Sequence, residues 1–335
     1  MIWTFSNTSY DIVRRMEYRE DIVKLMDDCI GCGSCNTVCP SYAKGGSDPM
    51  AVLKGDASKV KGCIGCGGCS EVCGYTDPWK VMMYVNCVEN DLTVPDVFRT
   101  TGYHLPTSNR EGVPNAGYSD EGGICLAPGC LVNSVVPYLE NAGVEALNSI
   151  GHSVRRLDTG CCTFPVHYRS LTDGERDSIK MRGTDDADGR RIVTLCPGCS
   201  NEFSSSGVDA SHMVELLYSG IDRIRAMEGV RMRVCIQPGC HLMHLRDEFR
   251  EVVEATGAEI VEAPIGCCGK AVPGISEMIM DDRQKDMEGS DAVIVGCPSC
   301  FIRYDSKKEG IKVLHISELV SLASGKGSTL VFHRN

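Results

Sequence analysis

The amino-acid sequence lacks three features that would point to a membrane, an export route or a nucleic acid. No run of roughly 18 apolar residues is present, so we expect no helix to span a bilayer. The amino terminus has no basic flank followed by an apolar core, so we expect no secretory signal. Basic residues form no run longer than a pair and the net charge is −11, which disfavours nucleic-acid and anionic-membrane partners. These absences predict a soluble, cytoplasmic protein.

A dinucleotide-binding fingerprint is absent as well. No GxGxxG pattern follows a predicted strand, so we expect no flavin in this chain, and any flavin would belong to a partner. With 335 residues the chain has room for two or three domains and at least one good core. Its 42% hydrophobic and 24% charged content is ordinary, which indicates a globular protein.

Cysteine, by contrast, is abundant, with 21 residues. A disulfide framework needs an oxidising compartment and is typical of small chains that cannot build a core. Here the chain is long, the cysteine count is odd and many cysteines lie in Cys-x-x-Cys pairs, so ligation of metal ions or clusters is favoured. We expect eighteen of the cysteines to be ligands.

The first eight of these ligands form two runs with the spacing that wraps three thiolates around one corner of a 4Fe–4S cubane. In each run the fourth cysteine points away and ligates the other cluster. One cluster is therefore predicted at Cys29, Cys32, Cys35 and Cys73, and the other at Cys63, Cys66, Cys69 and Cys39. Glycines between the cysteines allow backbone N–H groups to approach the sulfurs. A pair of zinc knuckles is the alternative.

The segments around these runs set the predicted domain limits. Residues 9–28 have helical periodicity and predict a packing or docking helix, so residues 1–90 form an amino-terminal helix plus a ferredoxin-like module with two clusters. Residues 91–122 contain several prolines and glycines with little periodicity, which predicts a linker on the surface.

An internal repeat follows the linker. Each copy has a Pro-Gly-Cys after a short apolar run, then an adjacent cysteine pair, then a Cys-x-x-Cys after a β-branched run. The first copy supplies Cys130, Cys161, Cys162, Cys196 and Cys199, and the second supplies Cys240, Cys267, Cys268, Cys297 and Cys300. Strands alternating with helices predict two pseudo-symmetric α/β domains, residues 123–228 and 229–335, with ligands at the carboxyl ends of parallel strands.

The number of cysteines in each copy bears on the kind of metal centre. A cubane or a four-thiolate zinc site needs only four ligands, and each copy has five. Adjacent cysteines reach a single small ion only with strain, but they can bind different irons of a larger cluster. The five-cysteine sets therefore favour an unusual polynuclear cluster over zinc.

Cys267-Cys268-Gly269 followed by Cys297-Pro298-Ser299-Cys300 resembles the CCG domain of heterodisulfide reductases. The first copy departs from the pattern, because Thr163 stands where the motif has glycine. A two-cluster ferredoxin module followed by two CCG repeats is similar to the D subunit of that family, or to a fusion of its C and B subunits. The resemblance implies a noncubane 4Fe–4S cluster in each five-cysteine set. It also implies that the disulfide of coenzyme M and coenzyme B, a substrate of methanogenesis, is cleaved between the two clusters.

Disulfide cleavage at such clusters requires protons, and His241 is the candidate donor. It stands next to Cys240 at the predicted start of a helix, and imidazole titrates near neutrality. A structural histidine is the alternative. His167 is a weaker counterpart in the first copy, and His244 is expected on a helix surface. Cys87 is unassigned, and small buried apolar roles are expected for the two cysteines preceding the Pro-Gly-Cys sequences, Cys125 and Cys235.

Other activities stay open from the same pattern. The architecture also resembles the iron–sulfur subunit of flavin-linked glycolate or lactate oxidases, in which the chain would conduct electrons while a partner flavoprotein performs the reaction. The disulfide-reducing or electron-relay part of a thiol-coupled fumarate reductase is a further alternative. In each case we expect an electron-donating flavoprotein or cytochrome subunit as partner, and in the reductase a small-molecule disulfide or thiol as substrate.

Overall fold

The computed structural model describes residues 18–92, 98, 113, 115–164, 173–269, 272–307 and 309–334. Its contacts divide the chain into two units. The first contains the described residues of 1–93 and 269–282, and the second contains those of 94–167, 171–268 and 283–335. Parts of the predicted amino-terminal helix and linker, and His167, lie outside the described residues. Among the described helices, none has the length and apolar character that a membrane span requires.

The first unit is helical around the two cysteine runs. Its α-helices are short, with bounds α1 Glu20–Asp27, α2 Ser34–Thr37, α3 Pro49–Leu53, α4 Gly68–Glu71 and α5 Pro78–Glu89. Two 3₁₀ turns, Tyr42–Lys44 and Ala57–Val60, connect them. Helix α1 packs its apolar face, with Ile22 fully buried, against a core shared with α3 and α5.

Equivalent caps start the two helices that follow the cysteine runs. Asp48 accepts a hydrogen bond from Ala51 N ahead of α3, and Asp77 accepts one from Lys80 N ahead of α5. In both cases a proline follows the aspartate, where its missing N–H costs nothing. The two halves of this unit therefore repeat the same local structure.

The second unit contains two four-stranded parallel sheets. The first sheet has the order β2-β1-β3-β4, with β1 Ile124–Ala127, β2 Val154–Arg156, β3 Ile192–Thr194 and β4 Ala210–His212. The second has the matching order β6-β5-β7-β8, with β5 Arg233–Gln237, β6 Glu259–Ile260, β7 Ala292–Val295 and β8 Lys312–His315. Strands β1 and β7 are completely buried, as expected for central strands covered on both faces.

Helices connect the strands and cover the sheets. In the first domain they are α6 Cys130–Ser134, α7 Leu139–Ser149, α8 Asp173–Lys180, α9 Pro197–Ser205, α10 Met213–Ser219 and α11 Ile221–Arg225. In the second they are α12 Arg246–Ala255, α13 Ile275–Asp286, α14 Pro298–Asp305 and α15 Ile316–Ala323. By its contacts, the part of α13 up to residue 282 belongs to the first unit. The 3₁₀ turns are Asp185–Ala187, Cys240–Leu245 and Leu330–Phe332. The helix expected to start at Cys240 is therefore 3₁₀ in its first turns and becomes α-helical only at Arg246.

The two sheets pack through a reciprocal pair of helix contacts. Helix α7 of the first domain packs on α15 of the second, and α12 of the second packs on α10 of the first. In each pair, one helix follows the first strand of its domain and the other follows the fourth strand. The predicted α/β class, with two pseudo-symmetric domains after a helical module, is confirmed.

Candidate metal centres

The two cysteine runs of the first unit adopt the same loop conformation. Gly31 and Gly33 have φ values of 75° and 80°, and Gly65 and Gly67 have 66° and 85°. Residues with side chains rarely adopt these left-handed angles, so glycine allows each loop to turn back on itself around its cysteines. Gly33 and Gly67 then cap α2 and α4, which carry the third cysteine of each run.

The first predicted quartet lines one cavity. This cavity is bordered by Cys29, Cys32, Cys35 and Cys73. The fourth cysteine comes from the other run, as the crossed spacing predicts. Burial raises the pKa of the Cys35 thiol to about 11, and the neighbouring Cys29 adds to this effect. Cys32 is exposed to solvent.

The second predicted quartet is also brought together. Burial, followed by the charges of Cys66, Cys63 and Cys39, raises the pKa of Cys69. Burial raises the pKa of Cys39, and Cys66 contributes to this rise. A thiol pKa raised by neighbouring thiols indicates that several sulfurs share a poorly solvated space, where a cationic iron would replace the protons. Ligation by each quartet remains a prediction.

The first five-cysteine set forms a continuous chain of thiol contacts. Hydrogen bonds join Cys130 to Cys161, Cys161 to Cys162, and Cys162 to Cys199. A further hydrogen bond joins Cys199 to Cys196. The adjacent Cys161 and Cys162 therefore point to different neighbours, which is the arrangement expected where paired cysteines reach different atoms of one cluster.

The second set forms two groups of contacts. The Cys300 thiol donates a hydrogen bond to Cys268 Sγ at 3.3 Å, and a second hydrogen bond joins Cys300 to Cys297. A separate hydrogen bond joins Cys240 to Cys267 and lowers the pKa of Cys240 to about 6.

The two sets meet at their Cys-x-x-Cys sequences. Cys196 of the first domain and Cys297 of the second share a hydrogen bond between their thiols. Both side chains are only partly buried, whereas Cys199 and Cys300 are buried. The structure therefore places the two candidate centres side by side, with one cysteine from each at the junction.

Glycine is required before the first cysteine of each set. Gly129 and Gly239 have φ values of 82° and 113°, and the corresponding ψ values of 166° and 145° define a region that residues with side chains avoid. A Cβ atom at Gly129 would lie 3.1 Å from Cys199 Sγ, and one at Gly239 would lie 3.1 Å from Cys297 Cβ. The Pro-Gly-Cys motif thus brings bare backbone against the cysteines of the Cys-x-x-Cys sequence.

The position after each cysteine pair differs between the copies. Gly269 has a φ of 78°, and Thr163, at the same position in the first copy, has a φ of 67°. A β-branched residue in this conformation is strained, so the first copy keeps the backbone of the motif without its glycine. The Thr163 N–H forms a hydrogen bond to Cys161.

His241 lies in the second domain beside residues of the first. Its side chain forms a hydrogen bond to Cys240, and its ring packs edge-on against Phe164 with 4.8 Å between the ring centroids. Asn201 Nδ2 donates a hydrogen bond to the His241 carbonyl at 3.3 Å. His244 is exposed, on the solvent side of the same turn. The catalytic role of His241 remains a prediction.

Two buried histidines lie outside the motifs that the sequence predicts to be functional. His212 and His315 end the fourth strand of their respective domains, and each precedes a helix with glutamate at its third position. The sequence does contain a sign of this role, because a His-x-x-Glu pattern occurs in both domains, ending at Glu215 and at Glu318. The pattern does not by itself predict a helix cap, because Ser, Thr, Asp and Asn are the usual residues at a helix start.

The three unassigned cysteines are all buried. Cys125 and Cys235 are fully buried in β1 and β5, and Cys87 lies in α5 with 7% of its surface exposed. Burial raises the pKa of Cys125, so its thiol stays neutral. The observed places of Cys125 and Cys235 agree with small apolar roles in the sheet centres.

The donor chemistry of these groups fits iron–sulfur clusters. The contacting groups contain thiols in sets of four and five, and thiolates are the ligands that iron–sulfur clusters take. Within the described ranges, no three Cys, His, Asp or Glu side chains are placed to share a single metal ion. The fit therefore depends on the thiol sets and their contacts.

Comparison with known families agrees with this pattern. A 4Fe-4S dicluster domain matches residues 21–74, and a cysteine-rich domain matches twice, at residues 124–204 and 234–304. A search of the curated proteins and one of the solved structures found no match. The chain therefore carries a 4Fe–4S dicluster domain followed by two cysteine-rich domains, a combination found in heterodisulfide reductase-type subunits.

Proposed function

We propose that this iron–sulfur protein reduces a small-molecule disulfide, of the type formed by coenzyme M and coenzyme B, between its two five-cysteine sets. The observation that carries the proposal is the contact between Cys196 and Cys297, which joins two complete sets. A disulfide also has two sulfur atoms, and two adjacent centres can act on both. The balance is one disulfide, two electrons and two protons giving two thiols.

Each five-cysteine set is proposed to hold a noncubane 4Fe–4S cluster, which when bound would supply electrons and a Lewis-acidic iron. The two four-cysteine quartets are proposed to hold cubanes. Cys32 is exposed, so the quartet containing it is the better candidate to receive electrons from a flavoprotein or cytochrome partner.

His241 is the proposed proton donor to the product thiolates. It is half-buried between the domains, next to Cys240 and in contact with Phe164 of the first domain. A group at this position can reach a substrate bound at the junction, and Phe164 limits the directions in which the ring can turn.

The test combines metal analysis with turnover. Anaerobically purified protein should contain about 16 iron atoms per chain, from four clusters of four irons each. A reduced low-molecular-weight dye should then be oxidised only when a disulfide such as that of coenzyme M and coenzyme B is added. Two thiols should appear for every two electrons consumed.

Two results would contradict the proposal. Iron near eight atoms per chain, or stoichiometric zinc, would contradict the assignment of two noncubane clusters. Full iron content without disulfide-dependent oxidation of the dye would instead favour the electron-conducting role, in which a partner subunit performs the reaction.

A further inference from the structure

His212 and His315 occupy equivalent positions in the two cysteine-rich domains. Each ends the fourth strand of its sheet and caps the helix that follows, α10 or α15. Their rings are buried, with 1% and 0% of the residue surface exposed. A buried polar ring needs hydrogen-bond partners for both of its nitrogens, so the partners define what each histidine does.

One nitrogen of each ring serves its own helix. Val214 N donates to His212 Nδ1, and Ser317 N donates to His315 Nδ1, both at 3.3 Å. A nitrogen that accepts a hydrogen bond carries a lone pair, so the proton of the neutral ring is on Nε2. Burial lowers the pKa of both histidines to about 4, so both rings are neutral near neutral pH.

The other nitrogen reaches the opposite domain. His212 Nε2 donates to the carbonyl of Gly296 at 2.9 Å, and His315 Nε2 donates to the carbonyl of Leu195 at 3.2 Å. These carbonyls belong to the residues immediately before Cys297 and Cys196, the two cysteines that meet at the junction. Each histidine thus holds the backbone from which the other domain's Cys-x-x-Cys begins.

We propose that His212 and His315 are positioning residues that fix the spacing between the two five-cysteine sets. Each histidine links the start of the helix that follows the fourth strand of its own domain to the peptide that precedes the Cys-x-x-Cys sequence of the other domain. The contacts between α7 and α15 and between α10 and α12 also join the two domains. The value of this spacing for disulfide reduction rests on the proposed function, but the positioning itself does not.

Two conservative variants separate the two hydrogen bonds of each ring. Asparagine places its side-chain oxygen near Nδ1 and is among the best helix caps, but it has no atom at the position of Nε2. Glutamine places a side-chain N–H donor near Nε2 and is a poor cap. His212→Asn and His315→Asn therefore keep the cap and lose the contact across the interface, whereas His212→Gln and His315→Gln keep the contact.

Amide hydrogen exchange of the anaerobically purified protein tests the prediction without turnover. His212→Asn should speed exchange about fivefold at the start of α14 in the second domain, the change expected for one lost hydrogen bond. His315→Asn should do the same at the start of α9 in the first domain. The glutamine variants should remain close to the original protein at both places.

The crossed pattern distinguishes positioning from a local structural role. Faster exchange only in the domain that carries the substitution would overturn the proposal, as would equal effects of asparagine and glutamine. Unchanged exchange in all four variants would overturn it too.

A second readout concerns the loaded centres. The magnetic coupling between the two five-cysteine centres, measured by electron paramagnetic resonance at full iron content, should weaken in the asparagine variants and persist in the glutamine variants. Equal coupling in both would count against positioning. A protein that turns over no disulfide but still shows the crossed exchange pattern would refute the proposed function and leave the positioning role supported.

Discussion

Replacing Gly239 or Gly129 with alanine is expected to disturb one five-cysteine set without touching a ligand. Alanine in the backbone region of these two glycines costs about 1 to 3 kcal/mol. The added Cβ atom would also lie 3.1 Å from Cys297 Cβ or from Cys199 Sγ, a contact that must relax by a few tenths of an ångström. Overpacking of this kind adds about 1 to 3 kcal/mol, so we expect each variant to lose about 2 to 6 kcal/mol.

The two variants should differ in what they displace. At Gly129 the nearest atom is the sulfur of Cys199, so Gly129→Ala should lower iron content in the first set directly. At Gly239 the nearest atom is the Cβ of Cys297, whose thiol contacts Cys196. Gly239→Ala should therefore also change the junction between the sets.

Iron content and thermal denaturation under anaerobic conditions check this reasoning. Both variants should unfold at least about 4 °C below the original protein, given the size of the second unit. Gly123→Ala is the matched control, because Gly123 is exposed, has no positive φ and would place its Cβ in open space. The control should stay within about 0.5 kcal/mol of the original protein. If Gly129→Ala and Gly239→Ala behave like Gly123→Ala, the close approach of backbone and cysteines is not required.

Substitutions at four other positions test separate parts of the molecule. Cys73→Ser should remove about four iron atoms while disulfide reduction driven by a small artificial donor continues; loss of that activity would refute a relay role. His241→Gln should slow disulfide reduction by about 10²-fold at unchanged iron content, and full turnover would make the histidine structural. Cys235→Ala should be tolerated, whereas Cys235→Ser should cost about 1 to 3 kcal/mol for a buried hydroxyl, measured by denaturation; equal costs would contradict a purely apolar site. Burial lowers the pKa of His333, but the hydrogen bond that its Nε2 donates to Glu318 and the negative charges of Glu318 and Asp305 together outweigh burial and raise it. The stabilising contribution is therefore complete below about pH 6.5 and is lost as the pH rises through the raised pKa. The stability difference between the original protein and His333→Gln should shrink as the pH rises above about 6.5, and a constant difference would refute this reasoning.

The parts of the fold that the sequence predicts well are those set by local chemistry. The β-branched runs before Cys196 and Cys297 form strands β3 and β7, because such residues suit a buried parallel sheet. The grouping of Cys73 with the first run and Cys39 with the second follows from the short spacing within each run, which cannot bring four thiolates around one cubane.

The parts that the sequence does not predict are set by contacts between the domains. The repeat and the family resemblance predict that the two cysteine sites face each other, but residue spacing inside one copy does not identify which cysteines meet, so the contact between Cys196 and Cys297 could not be predicted. The roles of His212 and His315 were hidden for the same reason, since their partners are carbonyls of the opposite domain. The left-handed conformation of Thr163 also goes against its residue type.

The duplication gives the two domains similar sequences, but the contacts explain why both are needed together. A separate first domain would expose the face of α7 that packs on α15, and would leave the carbonyl of Leu195 without the ring of His315. The second domain would lose the equivalent hydrogen bond at Gly296, and because water would replace each lost partner, the net cost is about 0.5 to 1.5 kcal/mol for each bond. Each domain therefore supplies a hydrogen bond to the peptide that precedes the Cys-x-x-Cys sequence of the other domain. The same interface that stabilises the second unit thus determines the distance between the two candidate centres.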